Sequence, residues 1–416
     1  MSNTLISSQM ITNETLRVLH NTIGLAGTID RQYDDTFART GAKVGASINI
    51  RRPVQYTIRN GNVASLQDIN ETTVPLTVDN LFGIDWAFNE VDLTLTIDRF
   101  SERYLQPAAK RLATELDMRV ARMVNSVAAS TGTPGAFPTT QAGIASLVTN
   151  AGALLDDAAT LQDERYFLLN PQSNAKAVSS FSTMFNPGGD ISKQYRTGMM
   201  GTAFGFDFMK TQNIVSHTNG IWGGTPLVNG PGQGIINVGS TDNPYAATTS
   251  LITDGWTAAV ANRLAVGDRF TIAGVNAVNL ENKQDLGYLR QFVVTAVAAS
   301  DGSGNLTAVI SPAIIAGGAY QNVTALPPDN AALTLLGTAS ATNAQNVAYH
   351  KSAFTLATVD LPLQPSMAMS SRANSDGISL RFLKGFDILN NREICRFDIL
   401  AGFVAQRPET AVIVQG

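Results

Sequence analysis

Few side chains in this sequence could carry chemistry. Histidine occurs only three times in 416 residues, as His20, His217 and His350. None of the three stands in a His-Glu-x-x-His or His-x-Glu motif, so the sequence offers no zinc site of a hydrolase. A Gly-x-Ser-x-Gly elbow and a Gly-x-x-x-x-Gly-Lys phosphate loop are also absent. We therefore expect structural roles for the three histidines.

The remaining reactive groups favour structural roles as well. Cys395 is the only cysteine, which excludes an internal disulfide and any multi-cysteine metal site. It lies in the apolar run REICRFDIL, where we expect it to act as a small buried hydrophobe. The acidic pairs Asp156–Asp157 and Asp163–Glu164 match no calcium loop, and their setting is typical of a solvated helix face. We expect no catalytic residue, no cofactor and no metal ion, and hence no enzyme.

Composition points to a protein whose surface is covered by partners. Charged residues make up 15% of the chain, against about 25% in average soluble domains. The net charge is −4, and basic residues cluster only at Arg51–Arg52, which argues against a dedicated nucleic-acid groove. We find no secretion signal and no apolar run long enough to span a membrane, and we expect a soluble protein.

The elements that must position these groups begin with a long ribbon. Apolar residues fall on even positions of SINIRRPVQYTIRN, which predicts a strand that ends in the Asn60-Gly61 turn. The alternation resumes between residues 74 and 97. Because a two-stranded ribbon cannot cover its own apolar face, we expect that face to be buried between subunits. The residues expected in this contact are Ile48, Ile50, Val54, Tyr56, Ile58, Trp86 and Phe88.

Residues 98–129 carry the clearest helical pattern of the sequence. Apolar side chains recur there every three or four residues, with basic and acidic residues between them. At 1.5 Å per residue, such a helix would exceed about 40 Å. The residues expected on its core face include Leu105, Leu112, Leu116 and Val120.

Residues 225–345 differ from the rest of the chain in composition. They contain only eleven charged residues, and strands rich in Gly, Thr and Ala alternate with turns, which predicts an all-β module inserted into a mixed α+β body. In the stretch GDRFTIAGVNAVN, Phe270 and Ile272 are expected in the core of this module. Gly274 interrupts the alternation, and we expect a β-bulge there that moves the apolar face to Val275 and Ala277.

Several segments together resemble one known family. RYFLLNPQSNAKAV, GFDFMKTQNIVSHTNG, GDRFTIAGVNAVN and QRPETAVIV are similar to parts of the major coat proteins of short-tailed phages of the Salmonella-phage type. The resemblance implies an α+β Hong Kong 97-like capsid fold with an inserted all-β domain. The implied parts are an N-terminal arm (1–45), an extended hairpin loop (46–97), a spine helix (98–139), a first axial segment (140–224), the inserted barrel-like domain (225–345) and returning axial and peripheral strands (346–416).

The resemblance also implies a function and partners. It implies a subunit that self-assembles into the icosahedral shell of a tailed phage, as hexamers and pentamers, around packaged double-stranded DNA. A scaffolding protein and a portal protein are the implied partners, DNA contacts are at most non-specific, and no membrane is involved. The implied locations are the virion capsid and, during assembly, the host cytoplasm. Residues 46–97 contain no lysine, so the lysine cross-link of some relatives of this fold is not expected.

Two other classes of protein remain as alternatives. A β-rich tail or adhesin protein would form a rigid trimer and would more often show sequence repeats, and none of fixed period is present here. A glycan-active enzyme would need a cleft with paired carboxylates. Electron microscopy of the purified protein distinguishes both classes from a shell-forming subunit.

Overall fold

The structure is a computed structural model in which both helices and sheets contribute to the core. It describes residues 8–34, 47–56, 58, 61–64, 66, 72–89, 104–181, 201–236, 249–364, 367, 369–390 and 392–416. The chain divides into two compact units. The first unit comprises Met1–Asn49, Pro75–Ala121 and Phe354–Val404, and the second comprises Ile50–Val74, Arg122–Ala353 and Ala405–Gly416.

Helices and strands of the described residues are numbered in chain order. The α-helices are α1 (Ser8–Thr22), α2 (Gln106–Arg122), α3 (Gln141–Asp157) and α4 (Pro171–Phe181). The strands are β1 (Asp30–Asp34), β2 (Ser47–Arg51), β3 (Thr73–Asn89), β4 (Ser130–Gly132), β5 (Arg165–Leu169), β6 (Thr202–Ala203), β7 (Phe206–Lys210), β8 (Ser216–Thr218), β9 (Gly224–Val228), β10 (Thr249–Trp256), β11 (Arg269–Val278), β12 (Asp285–Val294), β13 (Leu306–Ser311), β14 (Leu333–Leu335), β15 (Thr342–His350), β16 (Thr355–Val359), β17 (Met369–Ser375), β18 (Ile378–Asp387), β19 (Arg392–Val404) and β20 (Ala411–Gln415). Short 3-10 helices cover Leu25–Gly27, Met123–Ser126, Lys351–Ala353 and Pro408–Thr410.

The first unit is built on a seven-stranded sheet. Its strands follow the order β1-β16-β19-β18-β17, while β3 pairs with β19 and β2 pairs with β3. β19 is the central strand, because it pairs with three others, β3, β16 and β18, all of them antiparallel to it. Phe382 on β18 and Phe397 on β19 are buried, with ring centroids 5.1 Å apart.

The ribbon predicted for residues 46–97 differs in two respects from the observed strands. β2 ends at Arg51, whereas the alternation predicted a strand continuing through Ile58. Pro53 lies two residues further on, and a proline has no backbone N–H to donate to a sheet. β3 forms over the first part of the resumed alternation, while residues 90–97 lie outside the described part. It pairs with β19 as well as with β2. β3 therefore has more than one partner strand.

The predicted long helix is observed in shortened form. α2 ends at Arg122 and a 3-10 turn continues to Ser126, so the helix stops before residue 129; residues 98–103 lie outside the described part. Its 17 residues span about 26 Å. Its apolar face is nonetheless the predicted one, and the side chains buried there or just before it include Leu105, Leu112, Leu116 and Val120.

A buried carboxylate on the same helix was not foreseen from the apolar pattern. Asp117 lies between the buried Leu116 and Val120 and is itself buried. It accepts backbone hydrogen bonds from Gly24 at 3.1 Å and from Ala26 at 2.9 Å. This carboxylate fixes the turn that follows α1, because it satisfies two N–H groups that begin a 3-10 helix.

The second unit contains two sheets, and the first of these is covered by α3. Its strands follow the order β4-β20-β15-β5-β7-β6, with β8 paired to β15. α3 begins after Thr140, whose hydroxyl oxygen accepts the Gly143 N–H at 3.2 Å and so caps the helix. The core between helix and sheet includes Ile144, Leu147, Val148, Ala151, Leu155, Phe167, Phe206, Phe208, Val412 and Val414.

The other sheet of the second unit comes from the low-charge region. Its six strands follow the order β14-β11-β12-β13-β10-β9 and are antiparallel. Phe270 and Ile272 on β11 are fully buried in a core that also contains Phe292 and Val294. At Gly274 the backbone has a φ of +78°, and the register with β12 shifts between Thr271 and Asn276. The bulge expected at Gly274 is confirmed, and the side chains buried beyond it are Val275 and Ala277.

Candidate assembly surface and buried neck

The residues predicted to contact a neighbouring subunit lie in different environments. Ile50 is buried within the chain itself, so it is not available for the expected intersubunit contact. Ile48, Val54 and Trp86 are half-buried, and the side chain of Phe88 lies outside the described part. The Trp86 ring lies 5.3 Å from that of Phe397, within the first unit. Among the predicted residues whose side chains the structure describes, Tyr56 and Ile58 are the exposed ones.

The exposed part of this region is strongly apolar. Tyr56 is 62% exposed and Ile58 is 94% exposed, while Val63 and Leu66 are 85% and 97% exposed. We call Tyr56, Ile58, Val63 and Leu66 the hairpin tip. Scattered apolar side chains are common on protein surfaces, but four large ones within eleven residues indicate an interaction surface.

The end of the low-charge region pairs with a strand that lies shortly before its start. Ser216–Thr218 of β8 pair antiparallel with Thr342–Ala344 of β15, and the Thr218 and Thr342 hydroxyls lie 2.8 Å apart. Further along, β15 pairs with β5 and β20 in the sheet of the second unit that α3 covers. We call residues 216–222 and 342–345 the neck. The segment that forms the six-stranded sheet enters and leaves through this neck.

Asp268 lies next to the neck and is completely buried. Its Oδ1 accepts from His217 Nε2 at 2.9 Å, and its Oδ2 accepts from Trp222 Nε1 at 2.9 Å. The backbone N–H groups of Gly220 and Ala265 also donate to it, at 3.1 and 2.9 Å. Four donor groups thus converge on one carboxylate, which is about its full capacity as an acceptor.

Gly220 is required by this close packing. A Cβ atom at residue 220 would lie 2.5 Å from the Arg263 carbonyl oxygen and 2.9 Å from the Ala265 nitrogen. Both contacts are with backbone, which cannot move aside as a flexible side chain would. We infer that only glycine allows the chain to bring its N–H to Asp268 at this position.

Arg269 connects the strand that contains Phe270 to other parts of the second unit. Its guanidinium donates to the carbonyl oxygens of Val127 at 2.8 Å and Val124 at 3.3 Å, and to Gln345 Oε1 at 2.8 Å. Burial lowers the pKa of Arg269 to about 9, and the neighbouring Asp268 charge opposes this drop. The group therefore remains a cation at neutral pH. It links β11 to the turn after α2 and to the neck.

The three histidines and the cysteine occupy structural positions. His217 belongs to the Asp268 cluster, and His20 Nε2 lies 2.9 Å from the carbonyl oxygen of Ser375. His350 Nδ1 lies 2.8 Å from the Ser352 hydroxyl, and burial lowers the pKa of His350. Cys395 is buried as expected, and burial raises its pKa to about 11, which keeps the thiol protonated and unreactive.

The acidic pairs have specific partners, whereas the sequence predicted that they lie on a solvated helix face. Asp156 pairs with Arg165 at 2.6 Å, and Asp157 accepts from the Tyr288 hydroxyl at 3.0 Å. Glu164 pairs with Lys351 at 2.8 Å. In the part of the chain that the structure describes, no group of three or more His, Cys, Asp or Glu side chains is placed to hold a metal ion. Over those same residues, no helix has the length and apolar character needed to cross a membrane.

Sequence patterns did not reveal the roles of Asp268, Arg269 and Trp222. Arg269 is next to Phe270 on β11 and so lies on the opposite face of the strand, but that face is buried too. The signal that was available is the scarcity of charge: an adjacent acid and base in a nearly uncharged region indicate a buried polar cluster. Trp222 precedes the expected boundary at residue 225 and yet packs in the core of the six-stranded sheet.

Comparison with known proteins identifies the family. The family described as "P22 coat protein - gene protein 5" matches residues 1–416, the whole chain. The chain belongs to the P22 coat protein family. Coat proteins of this family are the major capsid proteins of tailed phages, so the chain is a structural subunit whose copies form a phage shell.

Individual relatives of this coat protein are distant. A protein named "Major capsid protein" from Acyrthosiphon pisum secondary endosymbiont phage 1 is 23% identical, with 98% of each chain covered. A solved structure from Mycobacterium phage Che8 is 14% identical, covers 94% of this chain and 90% of its own, and has a TM-score of 0.47. The structure titled "CUS-3 coat protein I-domain" is 28% identical over 27% of this chain and 96% of its own, with a TM-score of 0.21.

Proposed function

We propose that this coat protein has the Hong Kong 97-like capsid fold with an inserted β domain, and that it assembles as hexamers and pentamers into an icosahedral shell around double-stranded DNA. The observation that carries the proposal is the family match over all 416 residues. In this proposal, α2 is the spine helix and the hairpin tip belongs to the extended loop that contacts a neighbouring copy. Its role is that of a structural protein without enzymatic activity.

The proposed partners are a scaffolding protein and a portal protein, with assembly in the host cytoplasm before the virion is complete. Contacts with the enclosed DNA would be non-specific. The charge distribution supports this last point, because the chain carries a net charge of −4 and its basic residues are adjacent only in the pairs Arg51–Arg52 and Lys110–Arg111. No cofactor enters the proposal.

Imaging of assembled particles tests the architecture. The coat protein, co-expressed with the scaffolding protein of its phage, should form closed particles of uniform diameter with five-fold and six-fold capsomers. Cryo-electron microscopy measures both the closure and the capsomer symmetry. Trimeric rods would instead favour the tail or adhesin alternative, and particles built from another type of capsomer would contradict the proposed arrangement.

Two observations support an inserted domain within the second unit. The neck pairs residues 216–218 with residues 342–344, so the two ends of the insertion lie together. The strands between them have a core that contains Trp222, Trp256, Phe270 and Phe292. Since Trp222 belongs to this core, we propose that the domain begins at the neck, near residue 216, and not at the expected residue 225.

A fragment of residues 216–345 should therefore fold alone as a β protein. Within it, Phe270→Ala should lower the free energy of unfolding by about 3–5 kcal/mol, because it removes a buried aromatic ring from the core. Ile252→Ala is a matched control on β10, because Ile252 is 48% exposed. We expect this variant to change the free energy of unfolding by no more than about 0.5 kcal/mol. Urea unfolding measures both. A fragment without amide dispersion in its proton NMR spectrum would contradict the domain assignment.

A further inference from the structure

A cavity in the second unit holds an unusual set of charged side chains. Its volume is about 480 Å³, and its walls come from the turn before β12, from β12 itself, from the chain near residue 55 and from the turn before β20. Cavities of this size commonly hold small ligands. The charged residues in its lining are Glu281, Lys283, Arg290, Arg407 and Glu409, and Gln55 is among the uncharged polar ones.

Arg290 has no partner that would balance its charge. No hydrogen bond or ion pair joins it to any residue in the described part of the chain, and its Nε atom is out of contact with solvent. Burial lowers the pKa of Arg290, with the Glu409 charge a smaller opposing influence. Arg290 as a whole is half-buried, but the Nε–H is shielded from water and has no acceptor, and a shielded donor of a guanidinium is costly unless something else supplies an acceptor.

Lys283 adds a second cation without a carboxylate partner. Its Nζ donates only to carbonyl oxygens, those of Leu280 at 2.6 Å and Gln321 at 3.4 Å. Burial lowers the pKa of Lys283 as well. Glu281 also lines the cavity, but it is exposed and pairs with neither cation in the described structure. Asp285, which is as close to Lys283 in the chain, is exposed too, and its carboxylate accepts from Asn276 and from the Gly287 N–H.

Glu409 does not offset these charges, because it already has two basic partners. Arg52 Nη2 donates to both of its carboxylate oxygens, at 2.9 and 3.0 Å. Arg407 Nε contributes a further bond at 3.3 Å. The lining of the cavity therefore keeps an excess of positive charge at Arg290 and Lys283.

We propose that this cavity binds a small oxyanion, and that the oxyanion is a phosphate. Phosphate oxygens match the planar fork of donors that a guanidinium presents. Gln55 decides between anions: this residue also lines the cavity, and its Oε1 is buried without a donor. Phosphate near neutral pH still carries a P–OH group that can donate to Gln55, whereas sulfate and ionised carboxylates have acceptor oxygens only.

The first test is a titration of the purified full-length coat subunit with inorganic phosphate. At constant ionic strength and pH 7, calorimetry should show saturable binding of one phosphate per subunit, with weaker binding of sulfate and none of chloride. Adenosine monophosphate is then added as a competitor to distinguish free phosphate from a phosphate monoester. Competition indicates that the site is open to phosphate monoesters, and lack of competition indicates that it binds free phosphate. A wild-type subunit that does not bind phosphate saturably would overturn the proposal.

Variants of the cavity make the assignment specific. Arg290→Gln should weaken phosphate binding about tenfold or more, because it removes a charge-assisted interaction. Arg111→Gln, at an exposed arginine on α2, is the matched control and should bind phosphate like the wild type. Unchanged binding in Arg290→Gln, or equal weakening in Arg111→Gln, would contradict the site.

Two more variants separate ligand binding from folding and test the choice of anion. If Arg290→Gln does not fold, as judged by circular dichroism, Lys283→Met replaces it, and this variant should also bind phosphate several-fold more weakly. Gln55→Leu should retain binding but lose the preference for phosphate over sulfate. A Gln55→Leu subunit that keeps the preference would show that Gln55 is not the acceptor and would overturn the choice of phosphate.

Discussion

The Asp268→Ala subunit should unfold at a much lower urea concentration than the wild type. We expect its free energy of unfolding to be lower by about 3–5 kcal/mol. Asp268 is completely buried and accepts from four donor groups, two from side chains and two from the backbone. Alanine would leave those donors without an acceptor and without access to water, and each such orphan costs about 1–3 kcal/mol. Because the donors come from both the neck and the turn before β11, we expect the six-stranded sheet to loosen where the chain enters it.

Trp222 provides a direct readout of this change. Its indole Nε1 donates to Asp268 at 2.9 Å, and its ring packs 5.1 Å from that of Trp256. In Asp268→Ala, the tryptophan fluorescence should shift toward that of solvent-exposed indole before global unfolding. Asp254→Ala is a matched control on β10, since the Asp254 side chain makes no hydrogen bond or ion pair in the described part, and we expect its free energy of unfolding to change by no more than about 0.5 kcal/mol. Equal losses in the two variants would show that the carboxylate does not hold the neck together.

Elements with a clear hydrophobic period were predictable from the sequence. The core face of α2 followed from apolar residues spaced three and four apart, and the bulge at Gly274 followed from a glycine that broke a period-two pattern. Both patterns are local, because neighbouring side chains alone decide which face of a helix or strand is apolar. The ends of the same elements were less well predicted. They depend on turns and prolines, such as Pro53 after β2, and the spacing of apolar residues does not show where these end an element.

Pairings between distant segments were not predictable. β3 pairs with β19, about three hundred residues later, and the neck joins strands more than one hundred residues apart. A single sequence holds no pairing information of this kind. Asp268 and Arg269 were missed for a related reason: alternation indicates two faces of a strand, but not whether a second layer of the protein covers the polar one. Their partners include Trp222 and Gln345, which lie far from them in the sequence.

The double variant Ile58→Asp with Leu66→Asp should fold normally and yet form no particles. Ile58 is 94% exposed and Leu66 97% exposed in the isolated chain, so neither side chain contributes to the stability of the subunit. If the hairpin tip is covered by a neighbouring copy, each side chain contributes about 1.5–3 kcal/mol to that contact. Aspartate would remove this contribution and place a charge in an apolar contact. The defect recurs in every copy of the shell, so its effect on assembly is much larger than its effect on one subunit.

The comparison that decides this prediction uses thermal unfolding of the subunit together with sedimentation of assembled particles. Asn62→Asp is the matched control, because it adds a charge at an exposed position of the same region without removing an apolar group. We expect unchanged unfolding temperatures in both variants, particles from Asn62→Asp and none from the double variant. Tyr56 is left unaltered because it also lines the cavity of Arg290, and a change there would confuse two effects. Wild-type particle yield from the double variant would show that the hairpin tip stays exposed in the shell. A lowered unfolding temperature would instead place these side chains in the subunit's own fold.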